Sequence, residues 1–392
     1  MAPSRRAEQI PPFLVMDVLE RAQQLEAQGQ HIVHMEVGEP DFDTPEPIKH
    51  AALKALEAGH THYTHSMGIP QLRQAIAAHY HKHYGVSVDP ERIIVTSGSS
   101  PGLLLVFMAL LEPGEEVVLT DPCYACYPNF VEFVGGRINW VRLDEGSGFQ
   151  PEPELIASTV TARTRAIVLN SPSNPTGQII TPQRLEAIAA LAQGGQEGPW
   201  IVSDEIYHGL CYGAQARSIL EFTPNAFVLG GFSKLYAMTG WRLGYIIAPE
   251  PFVRPLQKMH QNFAICAPSV AQWAAIAAVE QCQEDVARMV HTYDQRRRHL
   301  LAGLKRLGFP IPVEPTGAFY VFTRCDHLDP DDYSLAFHIL DHARVALTPG
   351  RDFGPSGRGH LRFSYATSID NITEGLKRLE EYLRRFYPSV VS

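Results

Sequence analysis

Between residues 92 and 248, short runs of β-branched and apolar residues alternate with helical segments. This alternation constrains the fold more than any other feature of the chain. The runs are Arg92–Thr96, Glu116–Thr120, Arg137–Val141, Arg165–Asn170, Trp200–Asp204, Ala226–Gly230 and Leu243–Ala248. Several are apolar on both faces, the pattern of strands buried in a mostly parallel sheet. The expected fold class is α/β: a large domain with a mostly parallel seven-stranded sheet flanked by helices, plus a smaller α+β domain. Helical periodicity marks Val15 to Leu25, Pro45 to Gly59 and Gly68 to Tyr84, with prolines near two starts and glycines at two ends. After Gln283 comes a long Arg-rich helix to about Leu307, then strand Gly317–Thr323, helix Asp332–His342, strand His360–Ala366 and helix Ser368–Arg385. The expected division is an N-terminal segment, 1–45, packing with the small domain; a large domain, 46–285; and a small C-terminal domain, 286–392.

Composition excludes several classes. With 45% hydrophobic and 19% charged residues the chain is globular, and its net charge of -9 does not suit nucleic acid or anionic membranes. Its longest strongly apolar stretch, Leu103 to Leu111, is far short of the roughly 20 residues that span a bilayer. Arg5 and Arg6 precede an apolar patch broken by Asp17 and Glu20, unlike the clean apolar core of a signal peptide, so a cytoplasmic protein is expected. Six cysteines in 392 residues do not make a disulfide framework.

Chemistry-bearing residues gather at the strand ends, where ligands of open α/β sheets sit. The first strand runs into Ser97-Gly98-Ser99-Ser100-Pro101-Gly102 ahead of an apolar helix, a loop suited to an anion. It has neither a Walker lysine nor a GxGxxG pattern. Asn174 lies in the rigid turn Ser171-Pro172-Ser173-Asn174-Pro175-Thr176-Gly177, and Asp204 ends a hydrophobic run in Ser203-Asp204-Glu205-Ile206-Tyr207. Lys234 follows Gly230-Gly231-Phe232-Ser233, and Arg242 comes eight residues later. Only seven of the 33 basic residues are lysines, and Lys234 alone follows a buried strand. An isolated lysine is ordinarily a snorkelling surface residue. One desolvated near other cations can lose its proton and attack a carbonyl.

Together these segments resemble the fold-type I pyridoxal 5'-phosphate (PLP) enzymes, specifically the class I/II aminotransferases. The resemblance spans nearly the whole chain. It includes Val37-Gly38-Glu39-Pro40-Asp41-Phe42, Asn174-Pro175-Thr176-Gly177, Ser203 to Tyr207, Ser233-Lys234, Met238-Thr239-Gly240-Trp241-Arg242 and Gly359-His360-Leu361-Arg362-Phe363-Ser364-Tyr365. It implies that Lys234 forms the Schiff base with PLP and later shuttles the substrate α-proton. Asp204 would pair with the pyridine nitrogen, and Asn174 and Tyr207 with the ring's phenolic oxygen. Arg242, Ser99 and Ser100 would bind the phosphate, and Tyr124 would stack on the ring. Tyr63 would reach the phosphate of a neighbouring subunit, which implies a homodimer with shared sites. Arg362 would grip the substrate carboxylate as a fork, with Gly38 beside the substrate.

Departures from the family pattern are informative. Gly231 stands where many relatives carry a phosphate-binding serine, and Ser233 is left without a role because it is expected to point elsewhere. Ser100 occupies the place of a lysine that reads a distal carboxylate in some aspartate-preferring relatives, and Pro101 stands where an acid or amide is common. The expected substrate is therefore an amino acid with a neutral side chain, small aliphatic or aromatic.

Other tempting features take plainer readings. Cys123 and Cys126 form one CxxC without a second pair, so no metal is expected. His79 and His83 lack the acid of an HExxH motif and suggest a solvated helix face, along with His81. Arg296-Arg297-Arg298 suggests a surface face. The expected function is ping-pong transfer of an amino group from an L-amino acid to a 2-oxo acid. The alternatives are a carbon–sulfur β-lyase on the same fold and, third, a non-enzymatic aminotransferase-like regulator. The few residues ahead of the domain leave little room for the regulator's DNA-binding module.

Overall fold

The computed structural model describes residues 3–192 and 198–390. A short strand, β1 (Val33–His34), precedes the seven strands of the main sheet. These are β2 (Ile93–Thr96), β3 (Glu116–Asp121), β4 (Arg137–Arg142), β5 (Thr164–Asn170), β6 (Trp200–Asp204), β7 (Ala226–Gly231) and β8 (Gly244–Ile247). Their order is β2-β8-β7-β6-β5-β3-β4. Strands β3 to β7 pair in parallel, whereas β8 is antiparallel to both β2 and β7. The sheet is the one expected, with strand ends moved by about one residue. Strands β2, β6 and β7 are buried nearly throughout because helices cover both faces, so both faces carry apolar side chains.

The second core is built by β9 (Tyr320–Arg324), β10 (Val345–Ala346), β11 (Thr348–Pro349) and β12 (His360–Ser364) with helices Gln283–Arg306, Asp332–Ala343 and Ile369–Phe386. Strands β11, β12 and β9 form an antiparallel sheet, and β1 pairs in parallel with β10. Helix Leu14–Glu26 buries Val18, Ala22 and Leu25 against Leu340 and Ala346. Burial of side chains the size of Val18 or Leu25 contributes about 1.5–3 kcal/mol each.

Two surface expectations are corrected. Arg296 is buried: its Nη1 and Nη2 donate to Asp41 Oδ1 and Oδ2 at 2.6 and 2.9 Å, and its guanidinium lies 5.0 Å from the Phe42 ring centroid. The triple-arginine run therefore does not lie wholly on one solvated face, because successive helical residues point about 100° apart. His79 is also partly enclosed, against Tyr80, Tyr84 and His83, and burial lowers it to about 4. His81 and His83 remain exposed.

Candidate active site

The C-terminal ends of β5, β6 and β7 open into a cavity of about 440 Å³. Lys234, Asp204, Tyr207, Asn174, Arg242, Tyr124, Ser99, Ser100, Arg362 and Gly38 all line it. Ser233, left without a role on sequence, lines it too. Tyr63 does not line it; its side chain is on the surface, 78% exposed.

Lys234 Nζ donates to the Gly38 carbonyl at 2.7 Å. Burial brings its ammonium down to about 8; Arg362 and Arg242 act the same way, while Glu39 and Asp204 oppose them. The other six lysines lie on helices, with Lys49 half-buried and the rest exposed.

Asp204 ends β6 at the cavity floor. Tyr127 Oη donates to its Oδ2 at 2.6 Å and the Ile206 amide to its Oδ1 at 3.1 Å. Burial pushes the carboxyl up to about 6, against the lowering effect of those two hydrogen bonds. Asn170, ending β5, braces two neighbours at once. Its Nδ2 donates to the Asp204 carbonyl at 3.0 Å, and its Oδ1 accepts from the Asn174 amide at 2.8 Å.

Arg362 comes from β12 and is buried. Its Nη1 donates to Asn174 Oδ1 at 2.8 Å, and its Nη2 to the Glu36 carbonyl and to Thr348 Oγ1. Its guanidinium carbon lies 4.3 Å from the Tyr320 ring centroid and 4.8 Å from that of Phe353. The fork is thus held in place before any substrate arrives. Tyr207 meets Tyr320 hydroxyl to hydroxyl at 2.7 Å, and burial keeps both phenols protonated.

Ser99 and Ser100, also in the lining, begin helix Ser99–Leu110, whose first amides have no side-chain cap. Gly98 precedes them at φ +106°, and a Cβ there would lie 2.8 Å from Arg242 Nη2. A larger residue would fill the space between the helix start and the guanidinium. Pro101 falls in the first helical turn, where a missing N–H costs no intrahelical bond. At Gly231, a Cβ would approach Ile206 Cδ1 to 2.9 Å and Gly244 Cα to 3.3 Å, so a serine would need Ile206 to move.

Several lining residues were not singled out from sequence: Tyr127, Asn170, Tyr320, Phe13 and Met16. Tyr127 sits three positions after Tyr124, in the first turn of the short helix Cys126–Phe133, and Asn170 ends a strand as Asp204 does; those were the available signals. Tyr320 gave none. Behind the site, Glu205 is buried and accepts from Ser203 Oγ, Ser218 Oγ, the Ile219 amide and Tyr80 Oη at 3.0 to 3.3 Å. Burial raises it to about 7. Among the described residues no His, Cys, Asp and Glu cluster could hold a metal ion, and Cys123 and Cys126 are free thiols.

An amine of lowered pKa, a buried acid and a forked guanidinium lining one cavity define an α/β enzyme acting between amines and carbonyl compounds. Residues 30–379 match the family described as aminotransferase class I and II. The chain is 39% identical to the (5-formylfuran-3-yl)methyl phosphate transaminase of Methanocaldococcus jannaschii, over 97% of this chain and 100% of that one. It is also 39% identical to the aspartate/prephenate aminotransferase of Thermus thermophilus, over 97% and 99%. The solved aspartate aminotransferase of Thermus thermophilus with maleate superposes with a TM-score of 0.93 at 38% identity, covering 97% of this chain and 99% of that one. The chain belongs to the class I and II aminotransferase family, and its activity is amino-group transfer.

Proposed function

We propose that this enzyme binds PLP in the 440 Å³ cavity and transfers amino groups from neutral L-amino acids to 2-oxo acids. The enclosed Lys234 amine, facing Asp204 and Arg362 across one cavity, carries the reading. The fit of the cofactor is supported by the room that Gly98 leaves between Arg242 and the uncapped start of helix Ser99–Leu110, which suits a phosphate. Ser99, Ser100 and Arg242 would hold that phosphate. Tyr124 would cover the ring, Asp204 would face its pyridine nitrogen, and Asn174 and Tyr207 would meet its phenolic oxygen. When bound, PLP supplies an electron sink that stabilises negative charge at the substrate α-carbon.

The protein's own residues would supply position and proton movement. Arg362 holds the α-carboxylate of amino acid and 2-oxo acid alike as a two-pronged donor. Lys234, near pKa 8, takes the α-proton and returns it at the other end of the transfer. Asp204, raised by burial, would be kept ionised by a protonated ring nitrogen facing it.

A neutral side chain is supported by the lining. The cations there are Lys234, Arg242 and Arg362, each already assigned, while Phe13, Val15 and Met16 form an apolar wall. Aspartate as efficient a donor as alanine or phenylalanine by kcat/KM would refute this preference. We further propose a homodimer in which the exposed Tyr63 reaches the partner's phosphate, and the division into segments 1–45, 46–285 and 286–392, supported by two main cores, one drawn mostly from 46–285 and the other mostly from 286–392. A cytoplasmic setting is supported by six unpaired cysteines.

The test is a half-reaction screen. Each amino acid is mixed with the PLP form, and the visible band is followed as it converts to the pyridoxamine form. Lys234→Ala should lack that band; an unchanged band would overturn the assignment. Ammonia and pyruvate from a sulfur amino acid, without any 2-oxo acid acceptor, would mean a lyase instead.

A further inference from the structure

We propose that Tyr320 is a positioning residue that couples the two ends of the substrate site, its hydroxyl directing Tyr207 and its ring holding Arg362. Tyr320 opens β9 and is buried. Its register partner on β12 is Ser364, and Arg362 pairs with Phe322, so Tyr320 and Arg362 are diagonal neighbours on one face of an antiparallel pair. That register lays the ring against the guanidinium, 4.3 Å from its carbon to the ring centroid. At the far end of the ring, the hydroxyl sits 2.7 Å from Tyr207 Oη. It also occupies the space a side chain at residue 38 would need: a Cβ on Gly38 would lie 1.8 Å from Tyr320 Oη. Gly38 is thus required by Tyr320, and its carbonyl is the acceptor for Lys234 Nζ.

Proton counting gives the contact a direction. Each phenol has one proton to donate. On the proposed PLP reading, on which this inference rests, Tyr207 spends its proton on the cofactor's phenolic oxygen. The 2.7 Å contact then requires Tyr320 to donate to Tyr207. A hydroxyl that accepts a hydrogen bond becomes a stronger donor itself, so Tyr320 strengthens the bond Tyr207 makes. A residue that only filled the core would do neither.

Two substitutions separate these roles. Tyr320→Phe keeps the ring and removes the hydroxyl; Tyr320→Leu removes both. The readouts are the pH midpoint of the holoenzyme's visible band and the Kd for 3-phenylpropanoate, a carboxylate that cannot react. With a weaker donor at the phenolic oxygen, Tyr320→Phe should raise the band's midpoint by about 0.5–1 pH unit. Its Kd should stay close to that of the unsubstituted enzyme. Tyr320→Leu should raise the midpoint similarly and weaken the carboxylate by about fivefold. An unmoved midpoint in Tyr320→Phe would overturn the hydroxyl role. Equal carboxylate binding in the two variants would overturn the ring role. If unsubstituted protein with PLP showed no Lys234-dependent band, the cofactor reading itself would fall, and this inference with it.

Discussion

Arg362 Nη1 donates to Asn174 Oδ1 at 2.8 Å across 188 residues of sequence, joining the β12 hairpin to the turn after β5. The bond fixes the fork in the plane in which two parallel donations to a carboxylate are possible. Glu36, Thr348 and the Tyr320 ring hold the rest of the group.

Arg362→Lys should therefore lose more than reach. A lysine keeps the charge but not the second bond or the stacking, at a cost of about 1.5–3 kcal/mol, or roughly 10- to 150-fold in kcat/KM. Steady-state kinetics should place most of the loss in KM. A loss confined to kcat would contradict the carboxylate role.

Lys234 should stand apart from the other six lysines in the apoprotein. At pH 8 its amine is about half neutral, whereas an ordinary lysine is below ~1% neutral. Competitive acetylation read by mass spectrometry should give Lys234 a half-maximal rate near pH 8. A half-maximal rate at the ordinary lysine value, above pH ~10, would refute the depressed value.

Glu205 should make the apoprotein less stable as pH rises. Its folded pKa of about 7 lies above the ordinary 4.5, so its contribution is fully present below pH 4.5 and is lost as pH rises through 7. Glu205→Gln can still accept from Ser203, Ser218 and Ile219 while its amide faces Tyr80 and His208. Urea midpoints should favour the variant at pH 8, by up to about 3 kcal/mol, with the advantage fading toward pH 4.5. An advantage that grew on acidification would refute the sign.

Asp352 caps helix Leu14–Glu26 from a distant turn. Its Oδ1 and Oδ2 accept from the Leu14 and Val15 amides at 3.0 and 3.3 Å, where Phe13 supplies no cap of its own. Asp352→Asn offers one acceptor for two donors and should cost about 1–2 kcal/mol. Phe13 and Met16 border the cavity at that helix start, so KM should rise for bulky amino acids and change little for alanine. Equal effects on both would detach the cap from the pocket.

Asp41→Ala should destabilise the fold by about 3 kcal/mol, because it leaves Arg296 buried and unpaired. Adding Arg296→Met should recover part of the loss in urea denaturation. A double variant less stable than Asp41→Ala would show the pair to be more than charge compensation.

The sequence by itself determined the sheet, because strands covered on both faces must be apolar throughout and that pattern is local. It also isolated Asp204, which ends a buried run, Lys234, which follows one, Asn174 in a rigid turn, and Arg242 eight residues after Lys234. The tertiary structure alone decided their partners. Tyr127 reaches Asp204 over 77 residues, Tyr320 reaches Tyr207 over 113, and Asp352 reaches Leu14 over 338. Nothing within a helical turn or a strand repeat of these residues marks such pairings. They exist because sheet order and the docking of β9 and β12 bring distant strand ends together, and the same docking buries Arg296 where a run of three arginines suggested solvent.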